Sequence, residues 1–303
     1  YEILIGLVGS EMCIRDRVPA LLGGMLTLQS CEHFLDTKPT ETYSEELVWG
    51  SRSTADAFVL RTYPDILGLY HDFWGDDQIT LNTILRQSCP GEARDLINRE
   101  HDFGFNKFSI IRRCNLIIEQ ASASTALSDL DKKELVAEGK MLRAMIYYYQ
   151  AKHCGRVIWV DRVLQVDDEF NLPLTESIDR TYDLILSDLD DAIAGLPEEY
   201  PAGRANANAA RALKSEVCLT AAAYTTDATR KKTLWEQAVV AVDAIQGYSL
   251  DANYGGMFNQ ENSYSSTEII LARYFSKENT NGGDTYMPVS YTHLRAHETD
   301  QYL

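Results

Sequence analysis

Basic residues are scarce in this chain. It has 28 lysines and arginines against 45 aspartates and glutamates, which gives a formal net charge of -17 over 303 residues. A surface of this charge repels the phosphate backbone of nucleic acids, so nucleic acid is excluded as a partner class. The composition is otherwise that of an ordinary globular chain, and the 45% of hydrophobic residues suffices for a sizeable core.

Motifs for catalysis and metal binding are also lacking. The sequence has no serine nucleophile elbow, no P-loop and no cluster of Cys and His with metal-ligand spacing. The carboxylate pairs Asp76-Asp77 and Asp190-Asp191 are neighbours along the chain. They therefore do not offer the two carboxylates facing each other across a cleft that a glycosidase needs. The sequence predicts a protein that is not an enzyme and uses no cofactor.

Cysteines are few, six in all. Cys89, Cys114, Cys154 and Cys218 do not have metal-site spacing, and three of these four lie in or at the ends of helical patterns. Buried thiols are therefore the simplest prediction. An exported protein could instead pair some of them as disulfides, and the sequence leaves that alternative open.

The two ends of the chain mirror each other at the level of codons. Glu2–Asp16 and Val289–Leu303 can be encoded by reverse-complementary triplets at fifteen successive pairs of positions. Both peptides resemble a translated transposase adapter from sequencing libraries. We therefore expect residues 1–17 and 289–303 not to belong to the biological protein. Three basic and five acidic residues leave with them, so the net charge of -17 becomes -15. The H-x-x-x-H pair of His293 and His297 is lost as well.

Val18–Cys31 is an apolar run too short to span a bilayer. Leu28 and the small Ser30 precede Cys31 as in a bacterial lipobox, in which the thiol is acylated and becomes the first residue after cleavage. We therefore expect residues 18–30 to be a partial signal peptide, and Cys31 to tether the domain to outer-membrane lipid without a transmembrane helix. The alternative is a buried amphipathic segment with an incidental cysteine.

The strongest helical pattern lies between Ser128 and Gly155. Ser128 is the predicted N-cap, and Gly155 a plausible end. Gly139 leaves room for a neighbouring helix to come close. The residues that recur at alternating steps of four and three, and so line one helix face, are Leu135, Gly139, Leu142, Ile146 and Tyr149.

Further helices are predicted on both sides of this stretch. They comprise one capped by Ser53 or Thr54 and interrupted at Pro64, one over Phe108–Ala121, one opening at Thr175 and stopped at Leu196-Pro197, one over Asn208–Tyr224, and one from Leu234 to Ile245. Asp188 lies outside the apolar stripe of the predicted helix that opens at Thr175. Glu268–Tyr274 is the best strand candidate. Consecutive helix pairs favour a tetratricopeptide-like stack, although no clean 34-residue repeat is visible.

A candidate ligand site follows the first of these helices. Tyr70 and Trp74 lie just ahead of Asp76, Asp77 and Gln78. Aromatic rings can cover the apolar C–H faces of a polyol, and carboxylates and amides can bind its hydroxyls. The alternative is the edge of the core followed by a solvated acidic turn.

The order of these landmarks resembles the SusD/RagB family of outer-membrane, nutrient-binding lipoproteins. Together the landmarks extend over nearly all of the chain from Cys31 to Tyr274. The matching pieces are the Cys31 lipobox with Phe34-Leu35-Asp36 and Pro39, Arg113-Cys114-Asn115 with Ile118-Glu119, Leu142-Arg143-Ala144 with Tyr147 to Tyr149, Tyr182-Asp183-Leu184-Ile185, Gly203-Arg204-Ala205, and Glu268-Ile269-Ile270.

The resemblance implies a mainly α fold of tetratricopeptide-like helix pairs, with long loops and few short strands, over residues 31–288. This domain is expected to be incomplete, because the C-terminal part of the family's domain is missing. The resemblance also implies a lipoprotein on the outer face of the outer membrane, with a SusC-like TonB-dependent transporter as partner and a glycan as ligand bound near Trp74 to Gln78. A peptide-capturing relative of the same fold and a helical scaffold that binds only protein partners remain as alternatives.

Overall fold

The structure is a computed structural model, and it describes residues 45–69, 106–258 and 265–274. These residues belong to the unit Glu45–Leu303. Its helices are α1 (Glu45–Val48), α2 (Arg52–Leu60), α3 (Tyr63–Leu69), α4 (Phe108–Ala123), α5 (Asp129–Cys154), α6 (Ile178–Gly195), α7 (Ala207–Tyr224), α8 (Ala228–Asp243) and a short 3-10 helix, Tyr254–Phe258.

The core is built around α5, which packs against α4 on one side and α6 on the other. Ser128 caps α5 by accepting a hydrogen bond from the Asp131 amide, and Gly155 ends it with a φ of 74°. Both predictions for this helix are confirmed. Farther along, α6 packs against α7 and α7 against α8. The predicted stack of tetratricopeptide-like helix pairs is therefore confirmed.

Glycines bring neighbouring helices close to α5. A Cβ placed on Gly139 would lie 2.9 Å from Cγ1 of Ile118 and 3.0 Å from Cγ2 of Ile117, both on α4. On the other side, a Cβ on Gly195 of α6 would lie 2.5 Å from Cβ of Ala137. Larger residues at these two positions would push the helices apart.

Two predicted N-caps are shifted along the chain. The N-cap of α2 is Ser51, whose side chain accepts a hydrogen bond from the Thr54 amide at 3.3 Å. The hydroxyl of Thr54 donates to the Val48 carbonyl at 2.8 Å. The N-cap of α6 is Ser177. Thr175 is buried instead, with its hydroxyl 2.5 Å from that of Thr181. The prediction of an interruption at Pro64 is confirmed: Pro64 lies in the first turn of α3, where the missing N–H does no harm.

The strand predicted over Glu268–Tyr274 is wrong. The described part of the chain contains no strand, and this segment is irregular. A strand needs a partner with which to form a hydrogen-bond ladder. Here the contacts are scattered: the Ser249 amide donates to the Thr267 carbonyl at 3.2 Å, and the Asp251 amide donates to the Glu268 carboxylate at 2.5 Å. The apolar character that suggested a strand reflects packing of Ile270 and Leu271 against the core.

No helix among the described residues combines the length and the hydropathy that crossing a bilayer would take.

Candidate ligand-binding cavity

The residues predicted to contact a ligand lie outside the described residues, as do Cys31, Cys89 and the two mirrored ends. The first described range ends at Leu69, immediately before the predicted site begins. Those predicted site residues are Tyr70, Trp74, Asp76, Asp77 and Gln78. The described part of the chain contains a separate candidate site, which sequence analysis did not single out.

This site is a cavity between the first turn of α4 and residues 158–172. Its volume is about 450 Å³, which is within the usual range for small-molecule sites. Two aromatic rings line it, those of Phe108, 39% exposed, and Phe170, 66% exposed. Aliphatic side chains cover most of the remaining wall, and Ser109, Arg112 and Arg162 add polar groups.

One wall comes from residues 157–164, here called the cavity segment. Alternate side chains of the segment line the cavity, at positions 158, 160, 162 and 164. Between them, Trp159 stacks on Tyr147 of α5 with ring centroids 4.1 Å apart, and Val163 is buried. A period of two is that of an extended chain. Within the described residues, however, no strand lies beside the segment to pair with its main chain.

Side chains of α4 take the place of a partner strand. Arg112, Asn115 and Glu119 are spaced i, i+3 and i+7, so they lie on one face of the helix. We call these three residues the α4 ladder. They hold four main-chain groups of the cavity segment, as follows: Arg112 donates to the Leu164 carbonyl at 2.6 Å, Asn115 donates to the Val160 and Arg162 carbonyls at 2.9 Å each, and Glu119 accepts from the Val163 amide at 2.7 Å.

Two residues of α5 complete this support. The Val160 amide donates to the hydroxyl of Tyr147 at 2.6 Å. Arg143 donates to the side-chain oxygen of Asn115 at 2.9 Å and to the Asp161 carbonyl at 3.1 Å. Burial raises the pKa of Tyr147, so its hydroxyl stays protonated at neutral pH. The cavity wall is therefore held in place before any ligand arrives, as a binding site requires.

Arg143 is itself fixed by Asp188 of α6. The guanidinium makes two hydrogen bonds of 2.7 Å to the carboxylate, and both side chains are 6% exposed. Asp188 lies outside the apolar stripe of α6, yet it is in the core and not on the solvent side. Its charge is buried because it is paired with Arg143 in bidentate geometry.

A second polar cluster lies at the other side of α5, around Glu138, whose side chain is fully buried. Arg204 donates to the two carboxylate oxygens of Glu138 at 2.7 and 2.6 Å. Tyr63 of α3 donates to the same carboxylate at 2.5 Å and accepts from the Ala205 amide at 2.9 Å. The pKa of Tyr63 is raised by burial and by the nearby Glu138 charge. This charged cluster fixes α3, the helix that ends where the predicted ligand residues begin.

The charged cluster continues to α2 through Asp56, which accepts from Arg204 at 2.6 Å and from Arg52 at 2.9 Å. Arg52 also binds Asp131 at 2.7 Å and Glu134 at 2.8 Å, both on α5. Two arginines thus join α2, α5 and the loop before α7.

The described cysteines are free thiols. Cys114 and Cys218 are buried as predicted, and burial raises the pKa of Cys114 to about 12 and that of Cys218 to about 11. Cys154 is exposed, at the C-terminal end of α5, so the prediction of a buried thiol is wrong there. Among the described residues, no group of three or more His, Cys, Asp and Glu could hold a metal ion.

Asn115, Glu119 and Arg143 belong to the landmarks of the family resemblance, but the sequence alone assigned no role to them. One signal could have drawn attention to them. Arg112, Asn115 and Glu119 are polar residues at helical spacing between Ile110 and Gln120. The same spacing is typical of a solvent-exposed helix face, so it identifies a polar face but not the contacts of that face with the main chain.

No protein-family model matches the sequence. A SusD-like protein of Bacteroides ovatus is 26% identical over 172 residues, which cover 55% of this chain and 31% of that protein. SusD-like protein P25 of Formosa agariphila is 25% identical over 275 residues, which cover 82% of this chain and 50% of that protein. The chain therefore spans half, or less, of the length of these curated relatives.

Among solved structures, NanU of B. fragilis aligns with a TM-score of 0.64 at 18% identity, over 80% of this chain and 51% of that one. A likeness at this identity concerns the fold alone, and it agrees with the helical stack described above. Together with the two curated relatives, it confirms the resemblance to SusD-like proteins.

Proposed function

We propose that this chain, a relative of the SusD-like proteins in the SusD/RagB family, binds a glycan at the cell surface and delivers it to a SusC-like TonB-dependent transporter without breaking a covalent bond. The observation that carries the proposal is the match to two curated SusD-like proteins. The alignment with one of them covers 82% of this chain. Because the chain spans at most half of those relatives, its ligand and partner are proposed at the level of the family.

The cavity beside α4 supports binding of a sugar. A sugar ring presents apolar C–H faces, which the exposed rings of Phe108 and Phe170 can cover. It also presents hydroxyl groups at its edge, and Ser109, Arg112 and Arg162 lie in the same wall to bind them. The stretch with Tyr70, Trp74, Asp76, Asp77 and Gln78 stays a proposed second set of ligand contacts.

Membrane attachment is proposed through acylation of Cys31, on the outer face of the outer membrane. A lipid tether near the transporter raises the effective concentration of captured ligand at the channel. Metabolic labelling with an alkyne analogue of palmitate in a bacterium that processes lipoproteins tests this step. Label should enter the wild-type chain and be lost in Cys31→Ala. Label that persists in the variant would contradict the assignment.

Glycan binding is tested by native gel electrophoresis of the purified chain in gels that contain single polysaccharides. We expect retardation by at least one polysaccharide, and loss of that retardation in both Trp74→Ala and Phe170→Ala. Trp235→Ala is the matched control, because Trp235 is an exposed aromatic on α8, outside both proposed contact sets. Chromatography of the same mixtures after long incubation should find no shortened glycan, whereas products of hydrolysis would overturn the non-catalytic assignment.

One observation favours the scaffold alternative. On α8, Trp235, Val239 and Val242 are spaced i, i+4 and i+7, and each is at least half exposed. Such an apolar stripe is typical of a helix that contacts another protein. If the chain is only a scaffold, no polysaccharide retards it, and Trp74→Ala has no binding to lose.

A further inference from the structure

We infer that the cavity beside α4 selects glycans that carry carboxylate groups, with Arg112 as the residue that binds the carboxylate. The inference rests on the proposed function and adds a substrate class to it.

The first step concerns charge. A chain with a net charge of -17 repels an acidic ligand unless the binding site itself carries uncompensated positive charge. Two of the described residues that line the cavity carry a guanidinium group, and one of these groups is already neutralised. Arg162 makes hydrogen bonds of 2.8 and 3.0 Å to the two carboxylate oxygens of Asp168. The bond from Arg162, together with one from the Gln165 amide, lowers the pKa of Asp168, so this carboxylate is ionised at neutral pH.

Arg112 differs from Arg162 in its ion pairing. Within the described ranges it forms no ion pair with a carboxylate, and its side chain is exposed. Glu119 on the same helix face is seven residues away, about 10 Å along the axis, and accepts the Val163 amide. Among the described residues that line the cavity, Arg112 therefore carries a positive charge that no ion pair compensates.

The second step concerns geometry. One nitrogen of Arg112, Nη1, donates to the Leu164 carbonyl at 2.6 Å, which anchors the guanidinium at the cavity wall. An arginine held in this way keeps further donors in a rigid fork, the geometry that suits a carboxylate. Lysine or an amide would not offer the same fork.

The third step concerns the neighbours of Arg112. Phe108 precedes it by four residues on α4, so ring and guanidinium are adjacent on one helix face. Phe170 lines the same cavity. An acidic sugar such as a uronic acid has an apolar ring face and a carboxylate at its edge, so one residue of the glycan can contact the aromatic ring and Arg112 together. A neutral sugar can offer Arg112 hydroxyl oxygens but no opposite charge.

The experiment measures the binding of three probes to the purified chain: oligogalacturonate, its methyl ester, and neutral dextran oligomers. Isothermal titration at low and high salt gives their affinities. We expect oligogalacturonate to bind at least about tenfold more tightly than its methyl ester, since a charged hydrogen-bonded pair is lost in the ester. High salt should weaken only the binding of the acid.

Arg112→Gln should bring the affinity for the acid down to that for the ester, and Arg112→Lys should restore only part of it. Arg180→Gln, which changes an exposed arginine of α6 away from the cavity, is the matched control and should bind as wild type. Thermal melting of each variant shows whether a loss of binding reflects unfolding. The comparison of oligogalacturonate with its methyl ester uses the wild-type chain alone, so it tests the inference even if Arg112→Gln does not fold.

Each outcome decides a different point. Equal binding of acid and ester, unchanged by Arg112→Gln, would overturn the inference and leave the proposed function standing. No binding of any glycan, with these probes and in the polysaccharide gels, would overturn both. Tight binding of oligoglutamate in place of oligogalacturonate would also overturn the inference, and would favour capture of acidic peptides.

Discussion

The charged cluster around Glu138 and the α4 ladder both lie against α5, but they stabilise different kinds of structure. The charged cluster joins side chains to side chains, with Arg204 and Arg52 bridging carboxylates on α2 and α5. The α4 ladder joins side chains to main-chain groups of a non-helical segment.

The two kinds of contact predict different consequences when they are broken. Breaking the charged cluster leaves a charge buried between helices, so the whole helical unit should lose stability. Breaking the α4 ladder leaves main-chain groups of the cavity segment without partners, so the cavity wall should lose order first. Four perturbations test this contrast, and they are given in order of decreasing expected loss of stability.

Glu138→Ala should have the largest effect. It leaves Arg204, 8% exposed, without its main counter-charge and removes the acceptor of Tyr63. We expect a loss of about 3–5 kcal/mol in the free energy of unfolding, measured by urea denaturation. Glu236→Ala is the matched control, because Glu236 is 64% exposed on α8. A loss no larger than that of the control would contradict the view that the charged cluster holds the helices together.

Asn115→Ala removes the centre of the α4 ladder. The Arg162 carbonyl loses the Asn115 donor, whereas the Val160 carbonyl keeps the hydroxyl of Tyr147 at 3.2 Å. We expect a loss of about 1–3 kcal/mol in the free energy of unfolding. Limited proteolysis under native conditions should cut the cavity segment before it cuts any helix, and binding of glycan should weaken. If the first cut falls elsewhere, the ladder is not what orders this segment.

Glu119 offers a graded version of the same test. Glu119→Gln keeps an oxygen that can accept the Val163 amide but removes the charge, which should cost about 1 kcal/mol. Glu119→Ala removes the acceptor altogether. It should therefore lower the free energy of unfolding in urea more than Glu119→Gln does, and proteolysis should cut the cavity segment faster. Equal effects of the two substitutions would mean that the hydrogen bond contributes nothing.

Acid should weaken the charged cluster. Burial alone would raise the pKa of Asp56, but hydrogen bonds from Arg204 and Arg52 bring it below its usual value of 3.8. A carboxyl with a lowered folded-state pKa contributes stability above its unfolded-state pKa, and this is lost as pH falls through the folded-state pKa. The free energy of unfolding should therefore fall below about pH 4. Asp56→Asn should lose less stability in acid than wild type, whereas Asn115→Ala should lose as much as wild type.

The helices could be predicted from sequence because their signals are local. Apolar spacing located α4 to α8, and the cap at Ser128 was unambiguous. The caps of α2 and α6 were misplaced by two or three residues because another Ser or Thr lies within three positions of each cap, and the local pattern does not decide which hydroxyl caps.

The polar clusters could not be predicted in the same way. Glu138 and Arg204 are 66 residues apart in sequence, and Arg143 and Asp188 are 45 apart. Nothing in the local pattern pairs them. The strand prediction failed at Glu268–Tyr274 for a related reason, since an apolar run packs equally well as an irregular segment when no partner strand is near.

The alternation along the cavity segment makes the cavity sensitive to chain length. Positions 158, 160, 162 and 164 face the cavity, and their neighbours Trp159 and Val163 pack elsewhere. Deleting one residue, such as Asp161, would exchange the two sets beyond the deletion and turn Arg162 and Leu164 away from the cavity. The cavity segment should therefore tolerate substitutions far better than single-residue insertions or deletions.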